Sequence, residues 1–168
     1  NLEDSIRNKI GKSEGDIFKS DIENITELDL SKKDIHNLSG LEYITNIIEL
    51  NLMGNDITDL NPLSKLNRLT KLDLSWNNIS DLGPLSHLVN LTNLNLMGNN
   101  ISDISSLSNL TNLLNLELGW NNLSNINSLT NLSKLKHVDL RWTNVYDITP
   151  LSNLTQIIEL YLEKSWYY

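Results

Sequence analysis

Leu69-Thr70-Lys71-Leu72-Asp73-Leu74-Ser75-Trp76-Asn77-Asn78-Ile79 is followed, 22 residues on, by Leu91-Thr92-Asn93-Leu94-Asn95-Leu96-Met97-Gly98-Asn99-Asn100-Ile101. Both fit the frame L-x-x-L-x-L-x-x-N-x-I, which also starts at Ile25, Ile47, Leu113 and Leu135 and opens again at Ile157. A fixed period of this length marks a stacked-repeat architecture rather than a conventional globular core. Within each unit two apolar columns are separated by one residue: Leu28, Leu50, Leu72, Leu94, Leu116, Val138, Leu160, and Leu30, Leu52, Leu74, Leu96, Leu118, Leu140, Leu162. Period-2 spacing predicts a short strand with one buried face, and the constant offset returns each strand beside its predecessor in a parallel ladder.

The rest of each unit must run back over the outside. Ile35, Ile57, Ile79, Ile101, Leu123 and Val145 supply inward anchors for that return, and pairs such as Leu63 and Leu66 fit a short helical turn. Pro62, Pro84 and Pro150 are expected one residue ahead of such turns, where a missing N–H is harmless. Asn55, Asn77, Asn99 and Asn121 share a column at the strand exit, where an amide can both donate to and accept from backbone groups left unpaired. We read them as a buried asparagine ladder, ending at Thr143. Ahead of the repeats, Leu2, Ile6 and Ile10 fall at helical spacing before Gly11, and a second helical piece is expected from Lys19 to Asn24. The organisation expected is a helical cap over 1–24, six repeats over 25–156 and a partial seventh over 157–168, all one cooperative unit.

Composition narrows the function classes. The chain has 168 residues, 13 Lys+Arg against 21 Asp+Glu, a net charge of -8 and no cysteine. Thiolate nucleophiles, disulfides and cysteine-based zinc sites are therefore excluded. The acidic balance disfavours nucleic acid, and no apolar run is long enough for membrane insertion as a helix. Asn1 to Ser5 lacks the basic, then apolar pattern of a signal peptide.

Asn55-Asp56-Ile57-Thr58-Asp59-Leu60-Asn61-Pro62-Leu63 and Asn77-Asn78-Ile79-Ser80-Asp81-Leu82-Gly83-Pro84-Leu85 resemble the N-x-I-x-D-I-x-P-L core of the internalin-type leucine-rich repeats of bacterial surfaces. Ile6-Arg7-Asn8-Lys9-Ile10-Gly11-Lys12 and Leu38-Ser39-Gly40-Leu41-Glu42-Tyr43 are similar to that family's cap and first repeat. The resemblance covers nearly the whole chain. It implies an α/β leucine-rich repeat solenoid: a curved parallel β-sheet on the concave face, short 3-10 or helical turns on the convex face, and a helical N-terminal cap. It also implies a secreted or cell-surface adhesion module that binds a protein partner, possesses no cofactor and is not an enzyme. Eukaryotic phosphatase-regulatory repeats share the unit length but typically carry I-E-G-L where this chain has D-L-x-P-L, so an intracellular scaffold ranks second.

On the concave face two rows are expected to meet solvent: Glu27, Glu49, Lys71, Asn93, Asn115, His137, Glu159, and Asp29, Asn51, Asp73, Asn95, Glu117, Asp139, Tyr161. These hold seven carboxylates and one lysine, an acidic field suited either to solubility or to a basic partner. The next two columns carry Met53, Met97 and Arg141, then Trp76, Trp120 and Trp142. Large rigid aromatics beside methionine have the composition of a protein-binding hot spot. Strand spacing predicts about 5 Å between Trp120 and Trp142, and about 10 Å between Trp76 and Trp120, with Gly98 leaving a gap. The partner site expected is Trp76, Trp120, Trp142, Met53, Met97 and Arg141, with Glu117, Asp139, Tyr161 and His137 setting polarity.

Two other uses of the indoles compete: a lid over the asparagine ladder, and stacking against sugar rings with Asn93, Asn95 and Asn115 as donors. Catalysis finds little support, because His36, His87 and His137 fall in different columns. His137 with Asp139 and Glu159 has metal-ligand chemistry, but a solvated histidine among carboxylates is the commoner arrangement, and no metal site is assigned. The last strand ends in Trp166-Tyr167-Tyr168, read as an improvised cap or an edge through which two copies pair.

Overall fold

The computed structural model describes residues 2–163. Seven strands form one parallel sheet in sequence order: β1 Glu27–Asp29, β2 Glu49–Asn51, β3 Lys71–Asp73, β4 Asn93–Asn95, β5 Asn115–Glu117, β6 His137–Asp139 and β7 Glu159–Tyr161. The register never slips, with Leu28 opposite Leu50, Leu50 opposite Leu72, and so on to Val138 opposite Leu160. Such constancy follows from the repeat, since a one-residue shift would turn the leucine column into solvent.

Each return path carries one 3-10 turn, from Leu41–Tyr43, through Asn61–Leu63, Gly83–Leu85, Ser105–Leu107 and Asn127–Leu129, to Thr149–Leu151. The prolines lie inside these turns rather than ahead of them, Pro62 being the middle residue of Asn61–Leu63. The first turn hydrogen bond is donated by Leu63 to the Leu60 carbonyl at 2.9 Å, so the proline nitrogen sits where no donor is needed. Between sheet and turns lies a continuous row of leucine and isoleucine, most of it fully buried. A single unit could not bury both faces of this layer. Each buried leucine gains roughly 2 kcal/mol over an exposed one, and that gain comes from stacking on the neighbouring unit.

At the front, α1 (Leu2–Ile10) and α2 (Lys19–Ile22) lay Leu2, Ile6 and Ile22 on the same core. Helix α2 is shorter than the sequence suggested, the Glu23 N–H closing it on the Lys19 carbonyl. Asp21 accepts from the Phe18 N–H at 2.8 Å and pairs with Lys12 at 2.8 Å, fixing how the cap enters its second helix. At the back, Ile158 and Leu162 are 72% and 40% exposed. Trp166, Tyr167 and Tyr168, expected to cap this end, lie outside the described residues.

Candidate functional site

Where each strand ends, the backbone turns left-handed. Lys32, Gly54, Trp76, Gly98, Trp120 and Trp142 occupy one column with φ of 55°, 67°, 56°, 68°, 57° and 58°. Each donates its N–H to the next unit, as Trp76 does to the Met97 carbonyl and Trp120 to the Arg141 carbonyl, both at 2.8 Å. Positive φ costs a residue with a β-carbon roughly 1–2 kcal/mol, and glycine meets the requirement without strain at 54 and 98. The geometry of the solenoid therefore does not call for tryptophan here.

The three indoles form a strip. Trp120 and Trp142 stack with ring centroids 4.5 Å apart and planes 24° apart. Trp76 and Trp120 are 6.2 Å apart at 45°, much closer than strand spacing alone predicts. The gap closes because Trp76 leans across Gly98, into the volume a side chain there would fill. Trp76 and Trp120 remain 50% and 46% exposed, while Trp142 is half-buried. Met53 and Met97 are half-buried in the adjacent column, and Met97 is tied to the strip through its carbonyl bond from Trp76.

The asparagine ladder lies beneath. The Asn99 side-chain oxygen accepts from the Ile79 N–H at 3.0 Å, and its nitrogen donates to the Leu74 and Leu96 carbonyls at 3.0 Å. Each amide thus joins its own unit to the one before. Asn55, whose column neighbours are Lys32 and Gly54, is 6% exposed, against 5% for Asn121 beside Trp120. Shielding of the ladder does not depend on an indole.

The inner acidic row needs correction. Asp29, Asn51, Asp73, Asn95 and Asp139 each accept the N–H two residues on, from Ser31, Met53, Ser75, Met97 and Arg141. These side chains close the strand exit rather than standing free in solvent, a role legible in the Asp/Asn-x-turn spacing but not drawn from it. Asp139 is only 4% exposed, and its carboxylate is held by the Arg141 guanidinium through Nε and Nη2. It is a buried partner of Arg141, not a polarity-setting surface group. A second such series runs on the convex side, where Asp59, Asp81, Asp103, Asn125 and Asp147 accept N–H groups from the residues that open the 3-10 turns, and Asn37 accepts from Ser39, two residues ahead of the first turn.

Between Asp29 and Asp139 the exception is Glu117. One methylene longer than aspartate, it makes no such turn and remains exposed. Burial of part of the group, then Asp139 and Asp73, raises its carboxyl above the ordinary range. His137 Nδ1 lies 2.9 Å from Glu159, which also accepts the Tyr161 hydroxyl at 2.9 Å. Those two bonds, histidine first, hold the Glu159 carboxyl below its usual value. Asp139 is committed elsewhere, so His137, Asp139 and Glu159 do not converge, and among the described residues no group of three or more ligands forms a metal cluster. Arg141 also lies over the Tyr161 ring, 5.0 Å from its centroid.

A separate cleft lies between α1 and the first 3-10 turn, walled by Leu2, Ile6, Ile17, Ile22, Ile35 and Tyr43. Its walls come from both the cap and the first repeat, and it reads as the seam between them.

Comparison with known proteins places this geometry. The family model described as Leucine Rich repeats (2 copies) matches residues 45–87 and 67–109. The crystal structure of internalin F from Listeria monocytogenes is 38% identical with a TM-score of 0.93, over 97% of this chain and 50% of that one. This chain thus spans about half the length of that structure. Internalin C2 from the same organism is 26% identical with a TM-score of 0.55, over 96% of this chain and 92% of its own. The functional domain of InlJ from Listeria monocytogenes, described as including a cysteine ladder, is 29% identical with a TM-score of 0.77, over 88% and 32%. Compared with curated proteins, the sequence finds no match.

Proposed function

This chain is a leucine-rich repeat protein of the internalin type, and from that premise we propose a non-catalytic binding module whose protein partner docks on the concave face. Trp76, Trp120 and Trp142 are its anchors. Met53, Met97 and the stem of Arg141 extend the apolar surface, while Glu117, His137 and Tyr161 border it. Asp139 serves this surface indirectly, by holding Arg141. The module acts at the bacterial surface or after secretion, in keeping with the internalins it resembles.

One observation carries the reading. The exposed indoles occupy left-handed positions that glycine fills at 54 and 98 without strain, so their retention is better explained by what they contact than by what they support. Apolar aromatic area that the fold leaves half in water is what a partner can bury.

The test is affinity capture from host-cell and bacterial lysates, with the wild-type chain beside a Trp76→Gly/Trp120→Gly variant. Glycine is the right replacement because it relieves the positive φ instead of leaving a strained alanine. A protein retained by the wild type and lost from the variant, at matched circular dichroism, supports the reading. Identical retention by both chains rejects it.

A further inference from the structure

We infer that the partner segment seated on the tryptophan strip is basic, presenting an arginine or lysine side chain to Glu117. This deepens the concave-face reading above and rests on it.

The first ground is the charge left over on this face. Lys71 pairs with Glu49 at 2.6 Å, Arg141 is bound to Asp139, and His137 meets Glu159 at 2.9 Å. Each basic group of these rows, among the described residues, is already engaged by a carboxylate of the same face. Glu117 is not: among the described residues it has neither hydrogen bond nor ion pair, and its carboxylate neighbours Asp73 and Asp139 are spent on turn closure and on Arg141. An incoming cation would meet a carboxylate on which Asp139 and Asp73 act more strongly than the opposing Arg141, and would relieve repulsion among the three carboxylates.

The second ground is the company Glu117 keeps. It lies on β5, three residues before Trp120. An indole face attracts a cation through its ring quadrupole, most strongly for guanidinium, and the same aromatic surface covers the aliphatic stem of an arginine or lysine. Partner aspartate or glutamate at this point would face repulsion from Glu117 that Arg141 only partly offsets, so the surface also selects against acidic segments. Binding of a cation favours the ionised form of Glu117. The partner's affinity should therefore rise as pH is raised through the titration of Glu117. Asp73, Asp139 and Arg141 are the charged groups around it, and Arg141 opposes the carboxylates.

The experiment uses short random peptides displayed on phage, selected on the wild-type chain and counter-selected on the Trp76→Gly/Trp120→Gly variant. The expected result is enrichment of peptides bearing arginine or lysine. Synthetic copies should lose about tenfold in affinity when that residue becomes glutamine, and a similar factor against Glu117→Gln, the usual scale for one charge-assisted contact. Tryptophan-dependent peptides that lack a basic residue, or basic ones indifferent to Glu117→Gln, overturn the inference and leave the docking surface standing. Absence of any tryptophan-dependent peptide removes both.

Discussion

A β-carbon built on Gly98 would stand 2.6 Å from Cε3 of Trp76. The indole occupies the space that only glycine leaves open, and this contact brings Trp76 within 6.2 Å of Trp120. Glycine at 98 therefore has two functions, allowing a φ of +68° and seating the neighbouring unit's aromatic ring.

Gly98→Ala should disturb both. The left-handed backbone would cost roughly 1–2 kcal/mol, and the displaced Trp76 would lose its packing against the strip. Urea unfolding is expected to show that loss, while near-ultraviolet circular dichroism changes through the altered indole geometry. An unchanged near-ultraviolet spectrum would mean that Trp76 is not held as described.

The ladder is incomplete at its end, and this can be exploited. Thr143 donates to the Leu140 carbonyl of its own unit at 2.7 Å, whereas Asn121 reaches both Leu96 and Leu118. Thr143→Asn should add a bridge to the Leu118 carbonyl and stabilise the fold by about 1 kcal/mol. Asn99→Ala, by contrast, strands the Ile79 N–H in the interior, although the Leu74 and Leu96 carbonyls keep their bonds from Asn77 and Asn121, and should cost about 2 kcal/mol. Chemical denaturation of the two variants against wild type measures both signs.

Arg141, whose stem borders the proposed docking surface, also holds the buried Asp139 carboxylate. Its removal takes the cation from the buried Asp139, which keeps the backbone N–H at position 141, so with the exposed guanidinium screened by solvent Arg141→Ala should destabilise by about 1–2 kcal/mol. Adding Asp139→Asn retains an oxygen for the Arg141 N–H position and removes the orphaned charge, and the double variant should recover much of the loss. Thermal unfolding of single and double variants checks this; equal stability of the two would show that the pair contributes no coupling.

Acid dependence separates Glu117 from its neighbours. Its folded-state carboxyl is raised, by partial burial and then by Asp139 and Asp73, so the folded chain binds its proton more readily than the unfolded one. Ionised Glu117 therefore opposes folding, and the penalty disappears as pH falls through its titration. Glu117→Gln should be more stable than wild type near neutrality, with the difference shrinking as pH falls toward about 4 and absent below it. Asp29 and Asp147 run the other way. Their carboxyls are lowered by hydrogen bonds, first from the backbone N–H groups of Ser31 and Thr149. They contribute stability above the ordinary carboxylate range that is lost as pH falls. Urea midpoints across this range for wild type, Glu117→Gln and Asp147→Asn should diverge accordingly.

The repeat period, the alternating leucines and the buried asparagines were all determined by sequence alone. A 22-residue offset with two apolar positions per strand leaves one arrangement that buries every leucine, and Asn77 or Asn99 then has one place to go. The membership of the tryptophan column was equally plain, because Trp76, Trp120 and Trp142 share a position in the period. Tertiary structure decided what those side chains do. Periodicity specifies which face a residue occupies but not the φ at a strand exit, so neither the left-handed column nor the lean of Trp76 over Gly98 could be read from spacing. Asp139 passed for a surface carboxylate because spacing shows neither the packing that leaves it 4% exposed nor the Arg141 guanidinium that holds it. Glu117 stands apart for the complementary reason: one additional methylene excludes it from the turn closure that engages its neighbours in the column, and only their positions around it reveal that.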